Sequence, residues 1–367
     1  MKGINLSKTI GKNIKNAIKE SNLSQEEVSK KIGISRQTLN NYINGITLID
    51  FEKLLDVANL TGRNIDFFYK TNQLFRNYKF RSDTSIDSRL KIKFEESIRK
   101  YDEIEKMNKV HSHYIDIDVY LNKFDKEYIA AMAEKIRCLF DIEPESPIAN
   151  PIYELERNDV KIIQFKAGNR DISGFSAYKQ ESGYCIFLNS ECTIERRFFT
   201  AVHELAHLIF HKSDYEGDIK AVEEGKIEKE DIKEDIANEF AGVFLVPSKI
   251  LKEFCKEKFI EKVGFEDVLG LKKYFNVSAK CIIKRLLNEK IINEKEHKDL
   301  NDKIDSMVSP YEEYKPIEKE RNIENYRFTN LVKMAFLMEK ITVSKVAELL
   351  EIPVEEANKK VLEWADN

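Results

Sequence analysis

Short amphipathic runs separated by turn signals open the chain. In the run that follows Ser24, Val28 and Ile32 share one helix face, because positions four apart lie one above the other. Gly33 then favours a tight turn, and a second amphipathic run extends from 35 to 44. This pattern predicts two short helices joined by a turn near the N-terminus.

A narrow apolar stripe marks the highly charged stretch from about 72 to 115. Its apolar residues recur every three or four positions, which is the period of one face of an α-helix. The stripe consists of Leu90, Phe94, Ile98, Tyr101 and Ile104. We therefore expect one connecting helix that serves as a linker or as a brace.

The middle of the chain mixes helical and extended patterns. A helix is predicted over 125–140, and a strand over 160–165 follows it. Two further extended runs, 172–178 and 184–188, flank a Glu-Ser-Gly turn and predict a hairpin. A long apolar helix over 194–211 comes next, and the chain then has helical patterns to its C-terminus. We therefore expect an α+β body between two helical regions.

Composition narrows the class of protein. Hydrophobic residues make up 42% and charged residues 34% of the 367-residue chain, and the charges nearly cancel to -4. The length predicts more than one domain, and the hydrophobic fraction is ordinary for a globular protein. The small net charge excludes a polyanion-binding surface over the whole molecule. Any nucleic-acid site must therefore be local.

The cellular compartment is also constrained by the sequence. No apolar run approaches the roughly 20 residues that span a bilayer, and the start of the chain has no apolar signal segment. The five cysteines are scattered and form no CxxC pair. We therefore expect a cytoplasmic protein with reduced thiols and no membrane segment.

Candidate chemistry lies in the segment His203-Glu204-Leu-Ala-His207 of the long apolar helix. Positions i and i+4 share one helix face, so both imidazoles can reach one metal ion while Glu204 stands beside it. This spacing is typical of zinc hydrolases, in which the glutamate acts as general base. A buried helix whose histidines only form hydrogen bonds is the alternative. His211 continues the spacing, and we expect it either to contact a liganding histidine or to lie on the surface.

A third protein ligand is expected from the helix that ends before Pro247. Glu234, Ala237, Asn238 and Ala241 share one face of this helix, and the small alanines allow close approach to the histidine helix. Glu234 can then ligate the metal, while Asn238 bonds a liganding histidine and fixes the orientation of its ring. The neighbouring carboxylates are expected to form a solvated helix face: Glu223, Glu224, Glu228, Glu230, Asp231, Asp235 and Glu239.

The segments that carry these residues resemble the ImmA/IrrE metallopeptidase family. They are Arg196-Arg-Phe-Phe-Thr-Ala-Val-His-Glu-Leu-Ala-His-Leu and Glu234-Asp-Ile-Ala-Asn-Glu-Phe-Ala-Gly-Val-Phe-Leu-Val-Pro, and the similarity spans about 125 to 290. The resemblance implies a zincin-like body in which His203, His207 and Glu234 hold the metal. It also implies that Glu204 is the catalytic base, that the cofactor is Zn²⁺, with Mn²⁺ or another divalent ion as alternatives, and that the protease cuts a repressor or another regulator.

The N-terminal pair of helices carries its own signals. Ser24 precedes Glu27 by three positions, which is the pattern of a capping box. The second helix is rich in Arg, Gln, Thr and Asn, side chains that suit phosphates and base edges in the major groove. The unit resembles the Cro/cI-type (XRE) helix-turn-helix, which implies DNA binding; a protein-interaction module of the same fold is the alternative. The expected DNA contacts are Gln25, Ser35, Arg36, Gln37, Thr38, Asn40 and Asn41.

A second helix-turn-helix pattern lies near the C-terminus, from Val343 to Ala357. Its second helix starts with Glu355 and Glu356, which DNA phosphates would repel. Packing or binding of a protein partner is therefore favoured over DNA binding for this unit.

The sequence thus predicts a multidomain protein. Its expected parts are an all-α helix-turn-helix head over 1–70, a helical linker over 71–118, an α+β metallopeptidase body over 119–290 and a helical C-terminal region over 291–367. We expect a zinc-dependent endopeptidase coupled to DNA binding, acting on a protein substrate such as a repressor in a phage, mobile-element or stress response. Two alternatives stay open: a transcriptional regulator whose metal domain senses rather than cuts, and a DNA-bound scaffold whose metal site is empty. A dimer is compatible with each.

Overall fold

The computed structural model describes most of the chain and divides it into two compact units. The described residues are 6–21, 23–69, 79–80, 88–110, 119, 123–179, 182–211, 226–257, 262–317 and 325–366. Those up to 97, apart from 79–80, form the first unit, and 79–80 with the residues from 98 onward form the second.

The first unit contains short helices whose starts follow from capping residues. Ser24, Ser35 and Asp50 each accept a backbone N–H with the side chain at the beginning of a helix. The apolar faces of these helices meet in one shared core. Its described helices are α1 Leu6–Glu20, α2 Gln25–Lys31, α3 Arg36–Ile43, α4 Phe51–Thr61 and α5 Asp66–Tyr69. The predicted pair of helices joined by a turn is confirmed as α2 and α3.

Helix α6, Ser88–Asn108, carries the predicted apolar stripe, and all five members of the stripe are buried. Its residues up to 97 belong to the first unit and those from 98 to the second. Within the first unit, Arg63 pairs with Glu96 of α6 at 3.8 Å. Within the second, Tyr101 and Ile104 enter a core that they share with C-terminal helices. Most of the rest of the 72–115 stretch lies outside the described residues.

A small mixed sheet lies in the second unit. Its strands are β1 Lys79–Phe80, β2 Lys161–Phe165, β3 Gly174–Lys179 and β4 Gly183–Asn189, in the order β1-β3-β4-β2. Strands β3 and β4 form the predicted hairpin, with Ser176 opposite Ile186. Strand β2 runs parallel to β4, and every residue of β4 is buried, as expected for a strand between two others.

Two helices pack on this sheet, α8 Pro151–Arg157 on β2 and α9 Ile194–Phe210 on β3 and β4. Helix α10 Lys226–Leu245 packs between α9 and α7 Lys126–Leu139. The side chain of Thr193 caps the start of α9. The predicted apolar residues of α10 join the same core. The histidine helix and the helix of the expected third ligand are therefore direct neighbours.

Two buried guanidinium groups hold the C-terminal end of α10. Arg137 on α7 donates to the carbonyl of Phe244 at 2.7 Å, and Arg285 donates to the carbonyl of Val246 at 3.2 Å. A helix leaves its last carbonyls without partners inside the helix, so these bonds satisfy them and fix α10. Burial lowers the pKa of Arg137 to about 10, which still leaves it charged at neutral pH.

The remaining described helices complete the second unit: α11 Ser248–Glu257, α12 Phe265–Phe275, α13 Ala279–Asn288, α14 Glu294–Asp305, α15 Tyr326–Leu337, α16 Val343–Leu350 and α17 Val354–Asp366. Helices α16 and α17 form the predicted C-terminal helix-turn-helix, and Glu355 and Glu356 are exposed on α17. Among the described residues, no helix has the length and apolarity that a bilayer crossing requires. The expected fold class, with a helix-turn-helix head, an α+β body and a helical C-terminal region, is confirmed.

Candidate metal centre and nucleic-acid interface

The three side chains predicted as metal ligands converge between α9 and α10. His203 Nε2 and His207 Nε2 lie 3.0 Å apart. Glu234 places Oε2 at 3.2 Å from the first nitrogen and Oε1 at 3.5 Å from the second. Within the part of the chain that the structure describes, this is the group of His, Cys, Asp or Glu side chains whose ligand atoms are close enough to share one ion.

The donor set fits a divalent metal ion. Ligand atoms about 2.0–2.1 Å from a tetrahedral zinc ion lie roughly 3.3–3.4 Å from each other, and the separations of 3.0, 3.2 and 3.5 Å bracket that value. Two imidazole nitrogens and one carboxylate are also the ligand types that hydrolytic zinc sites use. An N–H···N bond between the two rings is the alternative interpretation of the 3.0 Å contact.

Asn238 lies where the sequence analysis expects it. Its Oδ1 is 3.0 Å from Nδ1 of His203. With the amide oxygen assigned to this contact, Nδ1 carries the hydrogen, and Nε2 turns its lone pair toward the cluster. Ala237 and Ala241 beside it are fully buried, so small side chains line the face on which α10 approaches its neighbours.

Glu204 follows His203 on α9 but does not belong to the three-donor cluster. Its side chain is buried, and Oε2 accepts a hydrogen bond from Ser176 Oγ of β3 at 2.6 Å. A carboxylate that stands beside the ligands without being one of them has the placement of a general base.

His211 ends α9 and contacts a predicted ligand. Its Nδ1 lies 2.9 Å from Nδ1 of His207, and its ring is buried. Phe210 packs edge-on against Phe240 of α10, with ring centroids 5.5 Å apart, and covers this end of the helix. His211 was expected either on the surface or in contact with a liganding histidine. It is buried and contacts His207, so the surface placement is wrong.

The predicted DNA-contact residues cluster at α3. Arg36 and Gln37 are exposed near its start, and Gln37 donates to Oδ1 of Asn41 at 3.3 Å. Ser35 Oγ accepts the backbone N–H of Thr38 at 3.0 Å and shares a hydrogen bond with its hydroxyl. Ser35 therefore caps the helix, with its hydroxyl paired to that of Thr38, whereas Arg36 and Gln37 are exposed beside it. The other predicted contacts are half-buried: Gln25 and Asn40.

Comparison with protein families assigns a class to each of these two regions. Residues 14–68 match the family model described as helix-turn-helix, and residues 155–287 match the peptidase family described as the IrrE N-terminal-like domain. The resemblance found in the sequence is thereby confirmed: the chain carries an XRE-type helix-turn-helix and an IrrE/ImmA-like peptidase domain. No curated protein matches the chain.

Sequence analysis missed one polar residue of the site, Ser176. It shares one face of β3 with Gly174 and Tyr178, and it is fully buried there. A small hydroxyl side chain at a buried position of a strand is a signal that points to a partner, because buried polar groups are nearly always hydrogen-bonded. The partner itself, Glu204, follows only from the packing of β3 on α9.

Proposed function

We propose that the protein is a metal-dependent endopeptidase, coupled to DNA binding through its head, that cleaves a repressor or another regulatory protein. The observation that supports this most strongly is the buried carboxylate of Glu204 beside the three converging donors. A helix-turn-helix on the same chain supports a regulatory substrate, because it would bring the peptidase to DNA where regulators act. The proposed setting is a phage, mobile-element or stress response.

The residues divide the chemistry between them. His203, His207 and Glu234 would hold the ion, Zn²⁺ first and Mn²⁺ or another divalent ion as alternatives. When bound, the ion supplies Lewis acidity, which polarises the scissile carbonyl and makes a water molecule a better nucleophile at neutral pH. Glu204 takes the proton of that water on its carboxylate and passes it to the nitrogen of the leaving amine. Asn238 keeps the ring of His203 oriented.

Replacement of Glu204 by Gln tests the proposal without removing a ligand. The amide has the same shape as the carboxylate but cannot take a proton, so cleavage should fall by about 100-fold or more. New protein N-termini are compared by mass spectrometry in cells that carry the wild type or Glu204→Gln. Termini that appear only with the wild type identify the substrate and its cleaved bond.

A control and a metal measurement complete this experiment. Asp235→Asn neutralises an exposed carboxylate on α10 next to Glu234 and should leave cleavage and metal content unchanged. Glu204→Gln should keep its metal, because the three donors remain. If wild type and Glu204→Gln produce the same termini, while loss of a ligand alters transcription, the domain senses metal and is not a peptidase.

A further inference from the structure

A serine of the sheet contacts the proposed general base. Ser176 Oγ donates to Oε2 of Glu204 at 2.6 Å, a short bond of the kind that hydroxyls form with carboxylates. Both residues are buried, with Ser176 fully buried and Glu204 8% exposed. A buried carboxylate oxygen without a hydrogen-bond partner costs free energy, so this hydroxyl satisfies Oε2 and fixes its place.

A glycine allows the strand to come this close to the helix. A Cβ atom at Gly174 would lie 2.5 Å from Thr200 Cγ2 and 2.6 Å from the carbonyl oxygen of Phe187, closer than van der Waals contact permits. Any larger residue at this position would therefore push β3 away from α9. The close approach at Gly174 and Thr200 is a precondition for the short bond between Ser176 and Glu204.

The residue spacings of the strand and the helix then bring Ser176 and Glu204 into contact. Gly174 and Ser176 are two positions apart on β3 and face the same side, separated by about 6.6–6.8 Å along the strand. Thr200 and Glu204 are four positions apart on α9 and share one face, separated by about 6 Å along the helix. The two spacings nearly agree. Contact between Gly174 and Thr200 therefore places Ser176 beside Glu204.

We infer that Ser176 is a positioning residue for Glu204, and that the β3–α9 contact at Gly174 and Thr200 sets the geometry of proton transfer; this inference rests on the proposed function. In the proposed mechanism Ser176 acts through Glu204 and not on the peptide. By accepting one hydrogen bond at Oε2, the carboxylate keeps one plane and one orientation toward the reacting water. Loss of this bond leaves the base present but badly oriented, which lowers the rate of the chemical step and not the affinity for substrate.

The test uses full-length protein and the synthetic peptide that spans a Glu204-dependent cleavage site found in cells. Ser176→Ala and Ser176→Val remove the hydroxyl, whereas Ser176→Thr keeps it in nearly the shape of valine. We expect kcat to fall about tenfold or more in the Ala and Val variants, with KM and metal content unchanged. The Thr variant should retain clearly more activity than the Val variant.

The sheet offers a matched control. Ser182, at the turn between β3 and β4, is also fully buried and donates to Oδ2 of Asp102 at 2.7 Å. Ser182→Ala therefore removes an equivalent serine–carboxylate bond from the same hairpin without touching Glu204. It should lower the thermal unfolding temperature about as much as Ser176→Ala does, yet leave kcat as in the wild type.

The remaining outcomes each contradict the inference in a different way. Wild-type kcat in both the Ala and Val variants, with Glu204→Gln inactive, shows that the bond has no role in catalysis. Loss of metal in Ser176→Ala, or equal losses of kcat in Ser176→Ala and Ser182→Ala, assigns Ser176 to structure alone. If the wild type itself shows no Glu204-dependent cleavage, the proposed function fails and the inference falls with it.

Discussion

Both side-chain oxygens of Glu156 on α8 are buried, and among the described residues neither forms a hydrogen bond of normal geometry. Burial raises the pKa of this carboxyl to about 8, although nearby backbone N–H groups of Arg327 and Tyr326 and the charge of Arg327 partly oppose the shift. The side chain borders a cavity of about 270 Å³ between α8 and α15 that contains none of the proposed metal ligands. Glu156 is therefore mostly protonated in the folded protein at neutral pH.

The stability of the second unit should depend on pH through this residue. The carboxyl titrates near 4.5 when unfolded and near 8 when folded, so between these values the folded state binds more protons. The free energy of unfolding therefore falls as pH rises across that window. Glu156→Gln should flatten the slope and raise stability at about pH 8, measured by urea unfolding at about pH 5 and pH 8. Glu154→Gln on the same helix serves as control, and an unchanged slope in Glu156→Gln contradicts the prediction.

The proposed ligands predict a graded loss of metal. Glu234→Ala removes one of three protein donors and should strip most of the metal from the purified protein. Asn238→Ala removes only the partner of His203 Nδ1 and should weaken binding about 10- to 100-fold. Asp231→Asn, an exposed change one turn earlier on α10, should have no effect. Elemental analysis after dialysis against a competing chelator measures all three, and full occupancy in Glu234→Ala would mean that another carboxylate is the ligand.

At the scale of elements, we predict that exposed side chains of α3 contribute to DNA binding. Arg36→Ala or Gln37→Ala should each weaken binding to a specific operator by about 1–3 kcal/mol, because both side chains are exposed at its start. Affinity should also fall steeply with salt as phosphate contacts release counterions. Lys359→Ala removes an exposed charge from α17 and is the matched control. The operator sequence is first identified by letting the protein select binding sites from a pool of random DNA. If the helix-turn-helix head selects no sequence, it is a protein-docking module instead.

Elements with strong periodicity and clear caps are those that the sequence predicts well. The apolar stripe of α6 and the cap of α2 at Ser24 depend on local spacing, and both are present in the structure. Strand β1, with two residues, and helix α8, with seven, were not predicted, because such short elements have no period to detect. The bond between Ser176 and Glu204 was missed for a different reason: it depends on how closely a strand and a helix pack, which local pattern does not encode.

At the scale of the whole molecule, buried charges fix the second half of α6 within the body. Lys161 of β2 is fully buried and contacts Asp102 at 2.7 Å and Glu105 at 2.8 Å, both on α6. Arg327 of α15 pairs with the same Glu105 and with Asp159. Loss of one partner would leave a buried charge uncompensated, so this network holds α6, the sheet and the C-terminal helices together.

Helix α6 belongs partly to each unit, which limits where the first unit could be exchanged for that of another protein. A crossover at residue 70, after the last helix of the head, would leave Glu96 behind and separate it from Arg63. A crossover in the middle of α6 would interrupt a helix whose second half is tied to Lys161. Substitution of single residues on α3 avoids both breaks, because it leaves α6 and its ion pairs intact.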